Sequence, residues 1–155
     1  MVKNVDVAII GAGTAGLHAL SEVRRVTDNF VVIDGGTLGT TCARVGCMPS
    51  KVMIQSADDF HRRQAFKAEA ITGGSGLSLD ASHAMKHVRS LRDRFVSSVM
   101  ENSLDPLGDK LIRDFAEFLE PDLLLAGDQR IRSKKVIIAT GSTPAIPKPW
   151  RRFTD

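Results

Sequence analysis

Two cysteines lie five positions apart in the chain of 155 residues, in the run Cys42-Ala43-Arg44-Val45-Gly46-Cys47. This C-x4-C spacing differs from the C-x2-C of zinc ribbons and of thioredoxin-like redox sites. On an ideal helix, residues five apart have Cα atoms about 8.7 Å from each other, given the helix radius and rise. A disulfide spans roughly 4.4–6.8 Å between Cα atoms. A bond between Cys42 and Cys47 therefore requires a distorted helix, and Gly46 and Pro49 are suited to distort one. A short, strained bridge constrains the unfolded chain little and is easily reduced, which is the profile of a redox-active pair. Spacing alone leaves two alternatives open. Zinc would need two further ligands, with His61 the closest histidine, and inert buried thiols need nothing more.

A second chemical element is Gly11-Ala12-Gly13-Thr14-Ala15-Gly16, which fits G-x-G-x-x-G. The motif alone is weak, but its context strengthens it: a β-rich run precedes it, a helical pattern follows, and Asp34 comes 18 residues after Gly16. Gly11 suits the tight turn, Gly13 lets a pyrophosphate approach the backbone, and Gly16 allows close helix–strand packing. The helix start then offers N–H groups and a positive dipole end to phosphates. Asp34 is expected to accept hydrogen bonds from ribose hydroxyls. The loop does not by itself separate NAD from FAD, and a glycine-rich turn without ligand is the bland alternative.

These residues need elements to position them. Val5–Ile10 and Phe30–Asp34 read as buried parallel strands, and Thr14 to about Val26 as the helix joining them, with Arg24 and Arg25 in its last turn. A helix is expected from Thr41 or Cys42, interrupted at Gly46 and Pro49 and resuming from Ser50 to Gln64. The glycine-rich segment 71–80 reads as a flexible connection. Asp80 or Ser82 caps a long helix reaching about Asn102. Short strands follow at Leu111-Ile112, Phe115-Ala116, Phe118-Leu119, Leu123–Leu125 and Arg130–Arg132, and Val136–Gly141 is expected as a last buried strand. The fold class is thus α/β, a Rossmann-like parallel sheet with a helical insertion and a small antiparallel β-meander. Residues 1–150 form the nucleotide-binding domain, and the proline- and arginine-rich 151–155 begin a linker.

Composition excludes several classes. Hydrophobic residues at 43% and charged residues at 25% match an ordinary globular domain and argue against disorder. A net charge of +3 is too small to argue for nucleic acid, and the basic pairs Arg62-Arg63, Lys134-Lys135 and Arg151-Arg152 lack interleaved aromatics. The apolar stretch Val7–Leu20 is too short and glycine-broken to span a membrane. No secretory signal or disulfide framework is visible, so the chain reads as cytoplasmic. His83 and His87 stand four apart on a predicted helix, but no third ligand is apparent, and no metal is expected.

Gly39-Thr40-Thr41-Cys42-Ala43-Arg44-Val45-Gly46-Cys47-Met48-Pro49-Ser50-Lys51 resembles the active-site motif of the flavin-dependent pyridine nucleotide-disulfide oxidoreductases, most closely the dihydrolipoamide dehydrogenases. Gly11–Gly16 and Ile138-Ala139-Thr140-Gly141-Ser142 also match that family's first FAD loop and its A-T-G segment. The resemblance covers the whole chain but only the first third of a typical member. It implies FAD as cofactor, with Cys42 as interchange thiol, Cys47 as the thiol beside the flavin, and Lys51 as the lysine near flavin N5. Gly11, Gly13, Thr14, Ala15, Gly16 and Asp34 would serve the adenine-side phosphates and ribose, with Thr41, Ala116, Ala139, Thr140 and Gly141 as further FAD contacts. It also implies a dithiol, disulfide or lipoyl substrate, and Cys42 facing it and reacting faster with a bulky alkylator. NAD binding and homodimer formation would lie outside this chain, leaving an incomplete domain without turnover of its own. Thr40 stands where the family has glycine, Ala43-Arg44 where it has Leu-Asn, and Asp34 where it usually has glutamate. A nucleotide-binding module without catalysis and a mercuric-reductase-like fragment are the competing classes.

Overall fold

The computed structural model describes residues 1–153. Strand β1 (Val2–Ile10), helix α1 (Thr14–Val23) and strand β2 (Phe30–Ile33) make the first βαβ unit. Helix α2 (Thr41–Arg44) and helix α3 (Cys47–Arg62) follow, then a 3-10 turn at Gly74–Gly76 and helix α4 (Ala81–Val99). Strands β3 (Leu111–Ile112), β4 (Ala116–Glu120), β5 (Leu123–Ala126) and β6 (Gln129–Ile138) complete one six-stranded sheet, ordered β3-β2-β1-β6-β5-β4. The first four of that order are parallel, while β5 and β4 run antiparallel and supply the meander.

The two faces of the central strands are both buried, which explains their near-continuous apolar sequence. Ile9 and Val32 face a cluster with Leu20 and Val23 of α1 and with Leu104 and Leu107. Ala8, Ile10, Val31 and Ile33 face the other side with Ile112, Leu124 and Ile131, a cluster drawn from strands alone. Helices α3 and α4 pack on each other away from this core. Among the described residues α3 buries none and α4 buries only Val88.

Several expectations shift. Arg130–Arg132 and Val136–Ile138 are one strand, β6, because β1 extends back to Val2 and offers partners from Arg130 to Ile138; pairing ends there, so Ala139, Thr140 and Gly141 of the expected strand lie beyond it. Alternation carries the join: Ile131 and Ser133 point inward while Arg132 and Lys134 point out. Lys134 Nζ meets Asp6 Oδ1 at 2.7 Å across the two strands. The end of β6 is less covered than its sequence suggests, with Ile138 at 66% exposure. Leu111-Ile112 does not join the meander, since it pairs in parallel with Val32 and Ile33 on the outer edge. Helix α1 ends at Val23, so Arg24 caps it and Arg25 reaches back to Glu22 instead of closing the last turn.

Pro49 does not interrupt α3. It is the third residue of the helix, within the first turn, where a missing N–H loses no intrahelical bond. The break lies at Val45, at φ −130°, ψ −16°, and Gly46, at φ −116°, ψ −101°. Asp80 caps α4 as expected, accepting from the His83 N–H at 3.0 Å. Of the expected linker 151–155, Arg151–Phe153 finish a 3-10 turn, while Thr154 and Asp155 lie outside the described residues.

Candidate functional site

The glycine loop leaves β1 at Gly11, whose φ of +106° suits glycine. A Cβ there would press on the backbone of Ala139, and one at Gly16 would strike the Gly11 carbonyl oxygen. Gly16 is therefore a packing residue beneath the loop. Gly13 has open space where its Cβ would be, and this opening forms part of a cleft. The first bond of α1 runs from the Leu17 N–H to the Gly13 carbonyl at 2.9 Å. The N–H groups of Thr14, Ala15 and Gly16 precede it and have no acceptor within the helix.

Asp34 follows β2 directly and ties the two strand ends together. Its Oδ2 accepts from the Ala12 N–H at 2.7 Å and its Oδ1 from the Gly36 N–H at 2.8 Å. Each oxygen keeps a second lone pair that a ribose hydroxyl could use. Arg113 donates to the Gly36 carbonyl at 3.0 Å and holds the loop after β2 against β3.

The cleft occupies about 610 Å³ and is walled by the glycine loop, Asp34, Thr41 and Ala139, Thr140 and Gly141, among others. A smaller lobe of about 220 Å³ shares Gly11, Asp34 and Thr140 with it and is closed by Asp114, Phe115 and Ala116. The sequence placed Phe115 with Ala116 in the meander segment that the family resemblance puts at the adenine side, and Ser142 in the A-T-G segment; it gave no sign of Gly36, Thr37 and Thr143 in the cleft or of Asp114 in the lobe. Their proximity depends on where β2, β4 and β6 end relative to one another, and no local pattern carries that. Arg44 was visible only as a departure from a family pattern, and it too lines the cleft. A larger groove of about 710 Å³ along α4, from Lys86 to Glu101, is a furrow on one helix face with no converging walls.

Cys42 is the second residue of α2 and Cys47 the first of α3, so the kink at Gly46 folds them toward each other. Both are free thiols here. Donation from the Cys42 thiol to the Cys47 sulfur raises the Cys42 pKa above its ordinary value and burial adds to this, while the Cys47 backbone N–H and then Lys51 oppose it. Lys51 sits one turn along α3 from Cys47 and is exposed. Cys42 is half-buried, and Cys47, the first residue of α3, is exposed.

Thr40, in the glycine position of the motif, keeps a glycine-like conformation at φ +60°, ψ 149°. That region disfavours a β-branched residue by about 1–3 kcal/mol. Its Oγ1 partly offsets the strain by accepting from the Ala43 N–H at 3.2 Å and capping α2. His83 and His87 are both exposed on α4, and among the described residues no three His, Cys, Asp or Glu side chains gather into a metal-binding group. No helix among the described residues is long and apolar enough to cross a membrane.

The model of the pyridine nucleotide-disulphide oxidoreductase family matches residues 5–150. The chain belongs to that family. It is 31% identical over 153 residues to dihydrolipoyl dehydrogenase 2, chloroplastic, of Arabidopsis thaliana, covering 92% of this chain and 25% of the relative. It is 29% identical over 147 residues to mercuric reductase of Staphylococcus aureus, covering 92% of this chain and 26% of that protein. Among solved structures, the Cu(II) complex of the HOCl-induced flavoprotein disulfide reductase RclA from Escherichia coli superposes with a TM-score of 0.68 at 21% identity. That match covers 94% of this chain and 30% of RclA and shows the shared fold. The chain thus spans about a quarter of the length of these curated relatives.

Membership in the pyridine nucleotide-disulphide oxidoreductase family implies a flavin site, and the residues present fit one. The wall opens at Gly13, unpartnered N–H groups begin α1, and Arg44 keeps a buried Nε with no acceptor.

Proposed function

We propose that this chain is the FAD-binding and dithiol-bearing part of a flavin-dependent disulfide oxidoreductase of the dihydrolipoamide dehydrogenase type. The observation that supports the proposal is the position of the thiol Cys42, on α2 between Thr41 and Arg44, two residues that line the cleft of the glycine loop and Asp34, with Cys47 opening the next helix across the break. In this reading Gly13, Thr14 and Ala15 present backbone to the diphosphate, and Asp34 accepts from the adenosine ribose. Ala116, Ala139, Thr140 and Gly141 line the rest of the cofactor's path. FAD, when bound, supplies a two-electron acceptor.

The protein's own residues then manage thiol exchange. A substrate thiolate attacks Cys42 of the oxidised pair, and the Cys42–Cys47 bond breaks with its electron pair leaving on Cys47. The second substrate thiol closes the substrate disulfide and expels Cys42. The raised pKa of Cys42 favours its protonated form once released. Lys51 supplies positive charge one turn beyond Cys47. Lipoyl groups are the proposed substrate and NAD the proposed final acceptor, in a homodimeric cytoplasmic enzyme whose Cys42–Cys47 disulfide is re-formed before each turnover.

The test uses the 155-residue chain itself. Denaturing a loaded preparation should release FAD, and release of NAD alone would overturn the cofactor assignment. Mild oxidation should remove two hydrogens from the peptide spanning Cys42 and Cys47, and dihydrolipoamide should restore both thiols. A second reading, mercuric reduction, rests on the relatives that carry that name. It gains if Hg(II) protects the dithiol from alkylation while dihydrolipoamide fails to reduce the disulfide.

A further inference from the structure

Two charged side chains line the 610 Å³ cleft, Asp34 and Arg44. Their situations differ. Both oxygens of Asp34 hold backbone N–H groups, at 2.7 Å and 2.8 Å. Arg44 is half-buried, makes no ion pair or side-chain hydrogen bond among the described residues, and has a buried Nε without an acceptor. A guanidinium taken partly out of water without a partner is unfavourable, and an anion that accepts from its planar fork offsets that.

The position of Arg44 is set firmly. Its N–H bonds to the Thr40 carbonyl at 3.1 Å, inside the short helix that Thr40 caps. Gly39, just before, has φ +105° and packs so close to Val96 of α4 that a Cβ would stand 2.8 Å from Val96 Cγ1. The loop carrying Arg44 is thus pinned from both sides to the same cleft as the open start of α1.

Resting on the FAD reading, we infer that Arg44 is the side-chain cation for the dinucleotide's diphosphate, complementing the backbone N–H groups of Thr14 and Ala15. The glycine loop approaches the diphosphate through main chain and dipole alone, which discriminates weakly among anions. A bidentate guanidinium adds a charge-assisted contact specific to the phosphates. Arg44 is a binding residue for the cofactor and takes no part in thiol exchange.

ADP and adenosine are the probes, titrated calorimetrically beside FAD. Arg44→Gln should weaken ADP and FAD roughly tenfold to hundredfold, and adenosine by less than about twofold, since it lacks the diphosphate. Arg44→Lys should fall between, keeping the charge without the fork. Without ligand, R44Q should melt no lower than wild type, because the replaced cation had no partner. A merely structural arginine would lower the melt. A measurement on the unmodified protein guards against a variant that does not fold: ADP, and not adenosine, should protect Arg44 from phenylglyoxal. Undiminished ADP and FAD binding by R44Q, or no protection by ADP, overturns the inference and leaves the FAD reading standing. Arg44-dependent ADP binding without FAD binding upholds the diphosphate contact and removes the flavin. Binding of none of these ligands by the wild type removes both.

Discussion

The βαβ unit and the α3–α4 pair answer to different physical demands, although the site draws on both. In the βαβ unit every central residue is walled in: Ala8, Ile9, Val31 and Ile33 have no exposure at all. In α3 no residue is buried, and Met53 and Ile54 are 51% and 54% exposed. The cleft therefore stands on a platform whose backbone is over-determined by packing. The thiols and Lys51 stand on helices held by a kink, a cap and contacts with each other. Geometry for a large planar ligand needs rigidity, whereas thiol exchange needs an accessible sulfur.

This contrast can be broken most forcefully at Gly16. Gly16→Ala should destabilise by about 3 kcal/mol or abolish folding, because the Cβ would meet the Gly11 carbonyl, which cannot give way. Ile33→Ala, in the same unit, should lose about 2–5 kcal/mol in urea unfolding. In α3, Met53→Ala and Ile54→Ala should each stay within roughly 0.5 kcal/mol of wild type. Equal losses in the two regions would show that α3 is more tightly integrated than its exposure indicates.

Thr40 gives an intermediate case, where the helices join the loop. Thr40→Ala keeps the strained backbone and removes the cap to Ala43, so it should lose about 1 kcal/mol. Thr40→Gly relieves the strain, worth about 1–3 kcal/mol, against a few tenths for the cap and about 0.5–1 kcal/mol for glycine's unfolded freedom. The stability order expected from denaturant midpoints is glycine at least equal to threonine, and both above alanine. A glycine variant weaker than the alanine one would contradict the strain at Thr40.

Smaller effects concern charge. Cys47→Ala removes the first cause of the raised Cys42 pKa, so the pH midpoint of Cys42 alkylation should move down toward the ordinary thiol value. The sign for stability follows. A raised folded pKa favours the thiol, so this contribution is present below the ordinary thiol pKa and fades as pH rises through the folded value. Asp6 is the opposite case. Lys134, then Thr27, lower its pKa below 3.8, so its contribution holds above that value and is lost as pH falls through the folded one. Asp6→Asn should therefore lower the melting temperature slightly at about pH 7, with the difference shrinking as pH falls through the folded pKa of Asp6.

Sequence by itself carried what depends on short spacings. The strand–glycine–helix pattern located the nucleotide loop and Asp34, because backbone conformation and helix dipole act within a few residues. A bond between Cys42 and Cys47 demands a kink at that spacing, and Gly46 stands between them to supply it. Tertiary structure decided what depends on distant partners. It made one long strand of Arg130–Arg132 and Val136–Ile138, because β1 offers a continuous edge to pair with. It sent Leu111-Ile112 to β2 and not to the meander, since two residues carry too little pattern to choose a neighbour. It also turned Arg44 from a departure in a motif into an unpartnered cation on the cleft wall. Whether a charge is paired is a property of the space around it, and no run of neighbouring letters records which side chains fill that space.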